Sequence, residues 1–204
     1  MNTAKHVNVR KLVLLALLTA IVVLLQFLGA FIRFGPFSIS LVLLPIAVGA
    51  ALNGIYAGGW LGFVFGLVVL LSGDAGAFLI VDPAATIFVV LLKGTLAGLA
   101  AGAVYRLFSR ISRTVAAIAA AAVCPIVNTG IFIIGSYVFF LPTLTEWGIE
   151  AGAANVTAYI FLFLITGNFL FELGLNLILS PTIVRLIQYG QDRRGSFRGG
   201  AKLK

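Results

Sequence analysis

The sequence predicts an all-α membrane protein: a compact bundle of six transmembrane helices with the N- and C-termini both cytoplasmic. Three observations carry this reading. Hydrophobic residues make up 61% of the 204-residue chain and charged residues only 10%, at a mean hydropathy of +1.15, whereas a soluble domain carries roughly 25% charged residues. The apolar runs are continuous rather than alternating with period two, which argues against a barrel and leaves the helix as the spanning structure. The basic residues gather at alternate segment ends, the pattern that fixes orientation in a bilayer.

A span needs about 20 mostly apolar residues. The first runs from about Lys11 to Phe31; the Lys5-to-Lys11 start followed by apolar residues is partly like a signal peptide, but the stretch is too long and no small-residue cleavage site follows. A polar turn, Arg33 to Ser38, leads to a short second span over about 39–52. Asn53-Gly54 turns the chain into a third span, about 57–71. Ser72 to Pro83 reads as a loop, then a fourth span covers about 84–107. The basic connector Arg106 to Arg113 precedes a fifth span, about 115–140, mildly broken at Pro125. Leu141 to Val156 reads as a second long loop, and the sixth span covers about 157–187, with Pro181 as a kink or end.

With the N-terminus, the second–third turn, the fourth–fifth connector and the C-terminus inside, the cytoplasmic side holds twelve of the fourteen basic residues. The outer side holds Arg33 and the acids Asp74, Asp82, Glu146 and Glu150, and Lys93 alone lies within a span. The net charge of +8 therefore belongs to cytoplasmic flanks and to the Gly/Arg/Lys tail from Tyr189, which suits anionic lipid rather than nucleic acid. Cys124 is the single cysteine, so no disulfide framework or cysteine metal site is expected, and no cofactor. No Gly-x-x-x-x-Gly-Lys-Ser/Thr, His-Glu-x-x-His or Gly-x-Ser-x-Gly occurs, and His6 is the sole histidine, so an ATPase or other membrane enzyme is not expected.

Small residues recur every four positions in three spans: Ala16 and Ala20 in the first, Gly58, Gly62 and Gly66 in the third, Gly94, Gly98 and Gly102 in the fourth. Such stripes let a second backbone approach closely. The glycine stripes read as packing within the bundle. The alanine pair, set among leucines, reads as a docking face for a partner helix.

Polar groups at membrane depth are the candidate site. Lys93, Asn128, and the four-residue series Asn168, Glu172 and Asn176 lie inside apolar spans. A charge at the bilayer centre costs about 2.5–3.5 kcal/mol on insertion scales, so Lys93 and Glu172 must face the interior, a cavity or each other. Two readings stand: an ion pair that fixes packing, or a pocket built by Lys93, Asn128 and Asn168 with Glu172 a turn deeper, where Lys93 meets a substrate carboxylate or phosphate. Phe34 and Trp147 in the outward loops read either as part of a lid or as interfacial anchors.

The chain resembles the substrate-binding S components of energy-coupling factor (ECF) vitamin transporters, from about Lys11 to Ile187. The resemblance rests on six short spans, on Ala16-x-x-x-Ala20, and on Phe34-Gly35-Pro36-Phe37-Ser38 running through Pro45 to Gly49, followed by Gly58-Gly59-Trp60-Leu61-Gly62. It implies a cytoplasmic segment 1–10, a transmembrane substrate-binding domain 11–188 and a basic tail 189–204, expected to be disordered. It implies docking of Ala16 and Ala20 on a membrane scaffold subunit, two ATPase subunits supplying the energy, and a vitamin held near the outer face of a prokaryotic-type cell membrane. Lys93 leans the substrate toward pantothenate, with riboflavin, folate and cobalamin open. The competing readings are a self-contained secondary transporter that uses Lys93 and Glu172 for proton coupling, and a membrane scaffold without a ligand.

Overall fold

The computed structural model describes residues 9–30, 33–34, 37–38, 41–161 and 169–179. Its elements are α1 (Val9–Ala30), β1 (Arg33–Phe34), β2 (Phe37–Ser38), α2 (Leu43–Asn53), α3 (Ile55–Leu71), α4 (Gly76–Val81), α5 (Pro83–Phe108), α6 (Arg113–Phe139), α7 (Leu141–Glu150) and α8 (Val156–Tyr159). A last helix, α9, covers Phe169–Leu179. The protein is an all-α membrane protein. Among the described residues three helices, α1, α5 and α6, are long and apolar enough to cross a bilayer, and α2, α3 and α9 are shorter apolar helices. At 1.5 Å per residue, the 26 residues of α5 extend about 39 Å, more than the roughly 30 Å hydrocarbon core. The 11 residues of α2 reach only about 16 Å.

Helix starts follow from side chains that can accept an orphan amide. Asp82 caps α5, its Oδ1 accepting from the Ala85 N–H at 3.0 Å with Pro83 in the first turn. Ser112 caps α6 through Val115, and Asn155 caps α8 through Ala158.

Three segments differ from expectation. The second span starts at Leu43 rather than near residue 39, and an antiparallel pair precedes it, Arg33 opposite Ser38 and Phe34 opposite Phe37. The 72–83 loop contains α4, and the 141–156 loop contains α7. Both are too short to be stable alone. They hold because Phe78 and Leu144 pack into one apolar cluster with Phe140, Tyr159 and Ile160, which caps this end of the bundle. The expected break at Pro125 is absent as well: α6 runs unbroken through it.

The two glycine stripes meet. A Cβ on Gly58 would strike the Gly98 carbonyl, and one on Gly62 the Gly94 carbonyl; the reverse holds for Gly94 and Gly98. Gly66 opposes Val90, and Gly102 opposes Ile55, so α3 and α5 run antiparallel in backbone contact along their length. In lipid, where apolar burial does not drive helix association, this close packing supplies dispersion contact that bulkier residues would forbid. On the other flank of α5, Gly135 lies against Val89, which sets α6 antiparallel to α5. The central core then forms from Val22 of α1, Ile46 of α2, Leu61 and Phe65 of α3, Ala97 of α5 and Cys124 of α6. At the end away from the cap, Asn53 Nδ2 donates to the Lys11 carbonyl at 3.0 Å and ties α2 to the start of α1.

Gly62→Val should therefore destabilise the bundle by about 1–3 kcal/mol or prevent folding. Gly130→Ala, whose new methyl meets nothing within 4 Å, should leave thermal unfolding in detergent unchanged. Equal melting of Gly62→Val and wild type would refute the role assigned to the stripe.

Candidate functional site

The registers fixed by Gly94 on Gly62 and by Gly135 on Val89 decide where Lys93 points. One helical turn beyond Val89 on α5, it lies beside Phe65 of α3 and Phe132 of α6. Its Nζ stands 6.0 Å from the Phe65 ring centroid and 5.2 Å from that of Phe132. Ring faces carry negative quadrupole density, and a desolvated cation gains about 2 kcal/mol or more from such a contact. Asp74 and Glu172 are acids whose charge reaches Lys93. The immediate neighbours are thus aromatic, and the acid influence comes from two sides, the α3–α4 turn and α9.

Phe132 joins Lys93 to the apolar cap. Phe78 of α4 packs edge-on to Phe132, Phe140 and Trp147, with centroids at 5.6, 5.0 and 5.5 Å. Edge-to-face packing at these separations adds roughly 0.5–1.5 kcal/mol per pair beyond area burial. Trp147 therefore belongs to the aromatic wall next to Lys93 and is partly buried there.

Asn128 lies one turn from Phe132 on α6. It is buried, and its Oδ1 has no hydrogen-bond partner. Glu172 on α9 is buried, 2% exposed. Asn176, one turn on, donates from Nδ2 to the Glu172 carbonyl at 2.7 Å, and its Oδ1 is buried without a partner. Ser136 Oγ is a further buried unpartnered oxygen on α6. Native interiors hold few such groups, and each calls for a water, a ligand or a functional reason.

The structure thus links Lys93 through Phe132 and Phe78 to Trp147, sets Asn128 one turn from Phe132 on α6, and buries Glu172 on α9. Asn168 lies outside the described residues. Phe34 is described through its β1 backbone alone. Ala16 and Ala20 are exposed on α1, on the side away from the buried Leu18, Val22 and Gln26. The sequence reading missed Phe65, Phe78 and Phe132, which no pattern separates from lipid-facing phenylalanines. It also missed Gln26, whose Nε2 donates to Asp74 Oδ2 at 3.1 Å. The signal for Gln26 was available: it is a lone amide four and eight residues beyond the buried Val22 and Leu18. Among the described residues, no three His, Cys, Asp or Glu side chains come together as a metal site.

Comparison with curated proteins and with solved structures returned no match. The family model described as "ECF transporter, substrate-specific component" matches residues 10–184, most of the chain. The chain belongs to the substrate-specific components of ECF transporters and is a transporter subunit rather than an enzyme.

Proposed function

We propose that this component captures a vitamin or similar micronutrient at the outer face of the cell membrane, in a site centred on Lys93, and relies on partner subunits for energy. The observation that carries the proposal is an ammonium kept at membrane depth beside Phe65 and Phe132 instead of an apolar side chain. Intramembrane charges are costly and mark function by default. Ring faces stabilise a cation without consuming its N–H donors, so Lys93 can offer all three to a substrate carboxylate. Asn128, Asn168 and Glu172 supply further polar contacts in this reading, and Phe34 and Trp147 bound the mouth. Among vitamins, pantothenate suits a site built on one ammonium; riboflavin, folate and cobalamin are the other candidates.

The same reading takes six crossings with both ends in the cytoplasm, a basic tail after residue 188, and a scaffold subunit with two ATPase subunits as partners. Ala16 and Ala20 are the contact face for the scaffold. They are exposed on a helix whose outward surface also carries larger side chains such as Leu17, Ile21, Leu24 and Leu28, and small side chains there admit a second helix closely.

Purified protein in detergent should bind at least one of the four vitamins without a requirement for Na⁺ or a proton gradient. Lys93→Ala and Asn128→Ala should each weaken that binding, by about tenfold or more for Lys93, since a charge-assisted hydrogen bond is worth about 1.5–3 kcal/mol. Unchanged affinity in both variants, read by calorimetric titration, contradicts the site assignment. The double variant Ala16→Trp, Ala20→Trp should bind vitamin normally yet fail to co-purify with a scaffold subunit. Retained co-purification contradicts the docking assignment.

A further inference from the structure

Between Val13 and Ala30, α1 carries only two polar side chains, Thr19 and Gln26. Thr19 is satisfied close by: its hydroxyl donates to the Leu15 carbonyl at 2.8 Å and accepts from Trp60 Nε1 at 3.3 Å. Gln26 differs. It is 1% exposed, its Nε2 donates to Asp74 Oδ2 at 3.1 Å, and its Oε1 is buried with no partner. Turning the amide over would bring Oε1 against the carboxylate, so Asp74 fixes the acceptor pointing away from itself. Leucine or methionine would fill the same volume without leaving an acceptor unmade, and a missing partner of this kind is strongly unfavourable away from water.

Position gives the oversized cost a reason. Asp74 lies just beyond α3, the helix that sets Phe65 beside Lys93, so the Gln26–Asp74 hydrogen bond ties α1 to the helix that walls the ammonium. The docking pair Ala16 and Ala20 does not account for it. We propose that Gln26 is a substrate-binding residue contributed by α1: its Oε1 accepts a hydrogen bond from a hydroxyl or amide N–H of a ligand whose carboxylate is held at Lys93. The inference rests on the reading of Lys93 as the anion site. It narrows the substrate class to carboxylates that also carry a hydrogen-bond donor. It also means that the helix that bears Ala16 and Ala20 touches the substrate directly.

The test uses the full chain in detergent, titrated with pantothenate, riboflavin, folate and cobalamin, with the thermal unfolding of the ligand-free protein measured in parallel. Gln26→Leu and Gln26→Met should each bind the vitamin that wild type prefers about tenfold more weakly. Both should unfold close to the wild-type temperature, because the loss of the Nε2 donation to Asp74 is offset by removal of the unmade acceptor. Wild-type affinity in both variants overturns this inference alone and leaves the Lys93 site standing. Weaker binding together with a marked fall in melting temperature in both variants assigns Gln26 to packing and overturns it too. If wild type binds none of the four, the Lys93 reading falls and takes this inference with it.

Discussion

Backbone meets backbone where Gly58 and Gly62 of α3 face Gly98 and Gly94 of α5, and the other distances in the bundle follow from that contact. Lys93 is the residue before Gly94, so the separation that lets the two helices touch also fixes how far its side chain reaches beside Phe65. The second register, Gly135 on Val89, delivers Phe132 to the other side of the ammonium. Small residues at four-residue spacing are thus more than packing devices here. They set the walls of the candidate site to within the reach of one lysine side chain. Lipid offers no hydrophobic drive toward helix association, so this geometry depends on surfaces that fit.

A bundle held by fit can tolerate a few polar groups only where they are worth their cost. Gln26, Asn128, Ser136 and Asn176 each keep a buried oxygen without a partner, and Glu172 is nearly inaccessible. These groups are spread over α1, α6 and α9. An enzyme would want a nucleophile and a tuned base in such a place. A binding component wants oriented donors and acceptors beside an apolar wall, which is the reading proposed for Lys93 and its aromatic neighbours.

Much of this was legible in the sequence, for identifiable reasons. Continuous apolar runs and the placement of Arg106, Arg110 and Arg113 marked the helices, because bilayer thickness and positive charge act on composition directly. The glycine stripes were read as internal packing, and they are. Lys93 and Glu172 stood out because ionisable residues are rare at that depth. What escaped was whatever depends on tertiary neighbours. α4 looks like a Gly/Asp-rich loop until Phe78 finds three aromatic partners. Nothing in sequence distinguishes Phe132 from the exposed Phe88, nor shows that Gln26 reaches Asp74 across 48 positions. Charge alone suggested Glu172 as a partner for Lys93, and what the structure sets beside the ammonium are the rings of Phe65 and Phe132.

The central claim is that the chain binds and presents a substrate but cannot move it unaided. Uptake of labelled pantothenate, riboflavin, folate and cobalamin into liposomes containing only this chain tests that claim most directly. No accumulation is predicted for any of them, with or without an imposed proton gradient, even where binding is tight. Gradient-driven accumulation by the chain alone would contradict the account and identify a self-contained transporter using Lys93 and Glu172.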